Sequence, residues 1–109
     1  MGMTKNLIQK CIYIGAKQRQ ALNDVASSKG LSEASIIRLA VDWIYFNIED
    51  VNVEIEDYKK SLIDNTHYEK YITYLTKFQN DIVKGYVRKC NITQSLIIQY
   101  TIDKFINND

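Results

Sequence analysis

Leu31-Ser32-Glu33-Ala34-Ser35-Ile36-Ile37 has a counterpart in Ile92-Thr93-Gln94-Ser95-Leu96-Ile97-Ile98, and the two segments stand 61 residues apart. At the same offset Tyr13 meets Tyr74, Gln18 meets Gln79 and Asp42 meets Asp103, while Ile14/Leu75, Leu22/Val83, Ala26/Val87, Val41/Ile102 and Ile44/Phe105 stay apolar. Identity is low, but the pattern persists. A fixed-period repeat of this kind limits the fold to architectures assembled from a repeated unit.

Local signals give the unit its elements. From Leu7 to Ile14, apolar residues recur two apart at Ile8, Ile12 and Ile14, the spacing of a half-buried strand interrupted by Lys10. Residues 16–29 place Leu22, Val25 and Ala26 on one helical face, and Gly30 supplies a left-handed cap. Ser32 is a favoured N-cap for a second helix, which carries Ile36, Ile37, Ala40, Val41 and Ile44 to about Asn47. The second copy repeats the order. Tyr68 to Leu75 reads as strand, residues 77–90 as helix with Ile82, Val83, Tyr86 and Val87 inside, Asn91 as cap, and Thr93 as N-cap of a last helix bearing Ile97, Ile98, Ile102 and Phe105. Between the copies, residues 48–66 hold Val51-Asn52-Val53-Glu54-Ile55 and then Glu56 to Ile63, with neither Pro nor Gly. Such a segment is ill suited to a floppy linker, and a further short helix is one of its options.

A single strand leaves unpaired edges, and a unit of this size buries too little apolar surface alone. Two copies resolve both problems if their strands pair antiparallel over four helices. The expectation is therefore a mainly α fold with a two-stranded antiparallel ribbon: a first unit at 1–47, an acidic, partly ordered joining segment at 48–66, and a second unit at 67–109, together one compact domain.

The net charge of +1 conceals an uneven distribution. Residues 1–46 carry six basic against three acidic residues, a net +3; residues 47–66 carry two lysines against six acids, a net −4; residues 67–109 carry six basic against four acidic residues, a net +2. The acidic middle thus separates two mildly basic ends. No apolar run approaches the roughly 20 residues of a membrane span and no secretory leader opens the chain, so an intracellular, cytoplasmic location is expected. Cys11 and Cys90 give no disulfide framework, and neither stands in metal-ligand spacing with the lone His67; both read as ordinary thiols.

The layout resembles the ribbon-helix-helix family of DNA-binding proteins, the MetJ, Arc and CopG class. The resemblance is carried by Ile12-x-Ile14, Leu22-x-x-Val25-Ala26, Gly30-Leu31-Ser32 and Ile36-Ile37-x-x-Ala40-Val41. As two units in tandem, a pseudo-dimer within one chain, it is similar to tandem transcription regulators found in viruses of thermophilic archaea, which would make the location the host cytoplasm. A high share of Ile, Asn, Lys and Tyr fits an AT-rich, viral or plasmid-borne genome.

The resemblance implies a sequence-specific transcriptional regulator of double-stranded DNA, a repressor or an activator as well, whose ribbon enters the major groove. With Ile12 and Ile14 inward, the base-reading side chains are Gln9, Cys11 and Tyr13, joined by Lys70, Ile72 and Tyr74 from the second strand. Gln pairs bidentately with adenine, Lys donates to guanine, and Ile72 meets a thymine methyl. Lys10, Glu69 and Thr73 sit where inward residues belong, and a one-residue slip would turn Lys10 and Tyr71 outward. That slip is the poorer choice in the first strand and stays open in the second. The resemblance further implies phosphate contacts at the starts of the second helix of each unit, marked by Ser32 and Thr93, with Lys29, Arg88 and Lys89 just before them. Since the repeats differ at every reading position except Tyr13 and Tyr74, an asymmetric site is expected.

Trp43-Ile44-Tyr45-Phe46 offers more aromatic surface than one buried face needs, so a homo-oligomer is expected, unless the joining segment covers these rings. One His, no glycine-rich phosphate loop and no nucleophile motif argue against an enzyme, a cofactor or a small-molecule substrate. The rival readings are an antitoxin-like module that grips a protein partner through the joining segment, and a purely structural helical protein.

Overall fold

Ile12 and Ile14 are wholly buried while Gln9, Cys11 and Tyr13 face outward, and this alternation makes Leu7–Gly15 the first strand, β1. In a computed structural model, which describes residues 6–61 and 67–107, the remaining elements are α1 (Ala16–Lys29), α2 (Glu33–Asn47), α3 (Val51–Ser61), β2 (Tyr68–Thr76), α4 (Lys77–Cys90) and α5 (Gln94–Asn107). Residues 1–5, 62–66 and 108–109, which belong to the expected first unit, joining segment and second unit, lie outside the described residues.

The helix boundaries follow from local chemistry. Gly30 adopts a left-handed φ of 67°, and the Leu31 amide donates to the Ala26 carbonyl at 3.0 Å, closing α1. Asn91 closes α4 in the same conformation at φ 56°, with the Ile92 amide donating to Val87. Ser32 and Thr93 then cap α2 and α5, accepting from the amides of Ser35 and Leu96 at 3.1 Å each. Thr76 opens α4 with a capping box completed by Gln79.

β1 and β2 pair antiparallel over their whole length, with Cys11 opposite Ile72 at the centre. Inward, β2 buries Tyr71, Thr73 and Leu75; outward it presents Lys70, Ile72 and Tyr74. Beneath the ribbon, Leu22, Ile36, Ile37, Ile44, Leu75, Ile97, Ile98 and Ile102 close one continuous core. Each side chain of this kind contributes about 1.5–3 kcal/mol on full burial.

The expectation of two ribbon-helix-helix units in tandem, forming a pseudo-dimer, is corrected by this topology: there are five helices and one two-stranded ribbon among the described residues. Each half of the chain supplies a single strand, and one lone strand satisfies its backbone only by pairing with the other, so two strands make one ribbon and no more. The helices interlock across the halves as well. Gln18 of α1 donates to the Gln99 carbonyl (2.9 Å) and the Asp103 carboxylate (2.8 Å) of α5, while Gln79 of α4 donates to the Asp42 carboxylate (3.0 Å) and Arg38 carbonyl (3.4 Å) of α2. α3 is an element outside the repeat. It buries Val51 and Ile55 and is fastened to α5 where the Tyr58 hydroxyl donates to Asp103 (2.6 Å), the Tyr100 hydroxyl donates to Glu54 (2.8 Å), and Lys104 pairs with Glu54 (2.8 Å). Desolvation, then the bond to Asp103, pushes the Tyr58 hydroxyl pKa well up, and Lys104 with Tyr100 holds Glu54 below the usual carboxylate range.

Candidate nucleic-acid interface

The outward face of the ribbon is tiled by three cross-strand pairs: Gln9 opposite Tyr74, Cys11 opposite Ile72, and Tyr13 opposite Lys70. All six side chains are exposed, Tyr13 and Ile72 by about half (50% and 48%). Directly opposed residues on an antiparallel pair lie about 4.5–5.5 Å apart at Cβ, so the six form one contiguous surface. Two strands spaced at about 4.8 Å fit a groove about 12 Å wide. The face offers a carboxamide, an ammonium, two phenols, a thiol and a branched aliphatic group: donors, acceptors and apolar contacts in close array.

The outer edges of the ribbon are fastened to the helix starts. On β1 the Tyr13 amide donates to the Ser95 hydroxyl at 3.0 Å, and the Tyr13 carbonyl accepts from Gln99 at 2.6 Å. On β2 the Tyr74 carbonyl accepts from the Arg38 guanidinium at 3.0 Å, which also donates to the Ser35 hydroxyl. Arg38 and Gln99 stand 61 residues apart, as do Tyr74 and Tyr13, so one buckle is made twice with different chemistry. Both tyrosines are held at their backbones, which fixes the outward face relative to the starts of α2 and α5.

Ser32 and Thr93, the residues expected to mark phosphate contacts, are exposed caps at those two starts. Lys29 ends α1, and Arg88 and Lys89 lie in the last turn of α4, all three at the surface. The surroundings of the two starts differ. Glu33 opens α2 and accepts from the Tyr71 hydroxyl (2.6 Å) and from Asn23 (2.9 Å); the Tyr71 bond first, then Asn23 and the nearby Arg19, holds its carboxyl below the ordinary range. Beside it Arg19 pairs with Glu69 at 2.7 Å and lies 5.2 Å from the Tyr71 ring centre. Gln94 stands in the place of Glu33 at the start of α5, and here the neighbours are Lys10, Lys84 and Arg88.

Arg38 and Lys84 were not legible as parts of this surface from sequence. Lys84 and Arg88 had a signal in their spacing of four on α4, which places them on one helical face. Lys10 was a misfit in the strand pattern and an outward residue only under the one-residue slip, which the burial of Ile12 and Ile14 rules out.

Away from the ribbon, Trp43 is partly buried edge-on against Phe105, but Tyr45 and Phe46 remain exposed, Phe46 by 71%. With Phe78, Ile48, Val51 and Tyr86 they line an open apolar groove that α3 leaves uncovered. Among the described residues no helix is long and apolar enough to cross a membrane, and no cluster of His, Cys, Asp or Glu is placed to hold a metal ion. Compared with family models, with characterised protein sequences and with solved structures, the chain matches none.

Proposed function

We propose that this chain is a sequence-specific binder of double-stranded DNA inside the cell, a transcriptional regulator that lays the outward face of its ribbon in the major groove in the manner of ribbon-helix-helix proteins. The observation that carries the reading is the set of six exposed side chains on three adjacent cross-strand pairs, on a ribbon whose other face is closed by helices. Gln9 is suited to adenine, Lys70 to guanine, and Ile72 to a thymine methyl. The capped starts of α2 and α5 supply free amides and a positive dipole end for the phosphates on either side. No catalytic step, cofactor or small-molecule substrate is assigned. The six reading residues differ between the strands except for the two tyrosines, so the site read is asymmetric.

A gel-shift titration on random-sequence duplex, from low to moderate salt, tests this. A Gln9→Ala, Lys70→Ala variant of unchanged circular dichroism is expected to lose sequence preference while keeping salt-sensitive binding. Failure of both proteins to bind any duplex refutes the reading. It would favour a protein-partner module instead, for which the exposed Tyr45, Phe46 and Phe78 groove is the supporting observation. In the DNA-binding reading the same groove is where copies of the chain associate, and sedimentation that shows a monomer at all concentrations counts against that part alone.

A further inference from the structure

Lys10 of β1, Lys84 and Arg88 of α4, and Gln94 at the start of α5 line an open pocket of about 360 Å³, closed on its apolar side by Val87. That is many times the ~30 Å³ share of one water in the liquid. Among the described residues no carboxylate makes an ion pair with any of the three cations; the pairs Arg19–Glu69, Lys59–Glu56, Lys77–Asp81 and Lys104–Glu54 all lie elsewhere. Burial, and secondarily the charge of Lys84, lowers the pKa of Lys10. Three positive groups around one concavity, with a helix start beside them, repel one another until an anion enters.

At the matching place on the other flank the side-chain concavity is already filled, which leaves only the backbone amides of α2 for a phosphate there. The residues 61 positions away from Lys10, Lys84, Arg88 and Gln94 are Tyr71, Asn23, Ser27 and Glu33. There a carboxylate already occupies the concavity: Glu33 takes the Tyr71 and Asn23 donors, and Glu69 neutralises Arg19. The concavity beside the start of α2 is lined by two carboxylates, Glu33 and Glu69, and one guanidinium, Arg19; the one beside the start of α5 is lined by three cations and no carboxylate.

We propose that the pocket of Lys10, Lys84 and Arg88 is an anion site for a phosphate group, and that it grips one backbone phosphodiester of the duplex on the α5 flank with no equal on the α2 flank. Identifying that phosphate as DNA rests on the duplex-binding reading above; the anion site itself does not. Gln94 adds a neutral donor, and the two α4 cations reach the same oxygen set from one helical face.

The test compares wild type, a Lys84→Gln, Arg88→Gln variant, and a Lys59→Gln, Lys60→Gln control on α3 that removes the same charge. All three are checked for unchanged circular dichroism. Two titrations are read: duplex binding by anisotropy between about 50 and 200 mM salt, and inorganic phosphate by amide shifts at positions 84, 88 and 94. The expected result is phosphate-dependent shifts in wild type and control but not in the α4 variant. Duplex affinity should fall about tenfold or more in the α4 variant alone, with a salt slope shallower by roughly 0.9 for each phosphate that is no longer neutralised. Shifts with phosphate but equal duplex affinity for variant and control overturn the assignment to DNA and uphold a small-anion site. Shifts with phosphate and no duplex binding by wild type uphold the anion site and refute the DNA reading. No shift, and no difference between variant and control, overturns the site whatever the wild type does with DNA.

Discussion

The two flanks of the ribbon occupy matching places in a repeated sequence, yet they have opposite electrostatic character. On the α2 flank Tyr71, Asn23, Glu33, Arg19 and Glu69 satisfy one another, and burial with the Glu33 bond pushes the Tyr71 hydroxyl pKa well up. On the α5 flank Lys10, Lys84 and Arg88 face a concavity with no carboxylate in its lining. A flank that closes its own hydrogen bonds contributes stability; one that leaves like charges together forgoes some stability and remains available to a ligand. The same backbone can thus hold a closed hydrogen-bond network on one side and a cluster of cations without a carboxylate on the other, and the side chains at the matched positions decide which.

The largest expected effect probes the closed flank. Glu33→Ala leaves the largely buried Tyr71 hydroxyl and the Asn23 amide without their acceptor and should cost about 2 kcal/mol in urea denaturation. Gln94→Ala, at the matched place on the open flank, should cost under about 0.5 kcal/mol. Equal losses would break the comparison.

The inner faces of the strands sharpen it next. Thr73 is fully buried and its hydroxyl finds no partner among the described residues, whereas the matched position on β1 is Ile12. Thr73→Val should therefore raise stability by about 1 kcal/mol, while Ile12→Val should lower it by about 1 kcal/mol. A destabilised Thr73→Val protein would mean that the hydroxyl is satisfied after all.

Acid reports on the closed flank too. Glu33 has a folded-state pKa below its unfolded value, chiefly through the Tyr71 bond, so its stabilisation is present above the unfolded pKa of about 4.3 and is lost as pH falls through the folded value. Melting temperature followed from about pH 6 downward, across the usual carboxylate range, should fall less steeply in Glu33→Gln than in wild type. Glu54, held down by Lys104 and Tyr100, keeps part of the acid loss in both proteins. The smallest effect is expected from Arg19→Ala, because both partners of the Arg19–Glu69 pair are about half exposed; under about 0.5 kcal/mol should be lost.

Much of the local structure was legible in the chain. The period-two run through Ile12 and Ile14 marks the inner face of β1, and Gly30, Asn91, Ser32 and Thr93 mark helix ends that their backbone angles and bonds explain. β2 was harder to read because two of the four positions in its inward register, Glu69 and Thr73, are polar. Glu69 sits near the ribbon end, opposite Ile14, where it escapes to Arg19, and Thr73 is buried despite its hydroxyl. The topology was less legible still. Repeated strand signals do not say that two strands share one ribbon, nor that Gln18 and Gln79 each bond a helix of the opposite half. α3 depends on tertiary bonds from Tyr58 and Glu54 to α5, which no local pattern encodes. The juxtaposition of Lys10 with Lys84 has the same cause: strand pairing and helix docking bring together residues far apart in sequence.

The ribbon as the reading surface is the central claim, and amide shift mapping during a duplex titration tests it most directly. Perturbations concentrated at Gln9, Cys11, Tyr13, Lys70, Ile72 and Tyr74, extending to the starts of α2 and α5, are expected. Perturbations confined to Tyr45, Phe46 and Phe78, or none on the ribbon at saturating duplex, would contradict it.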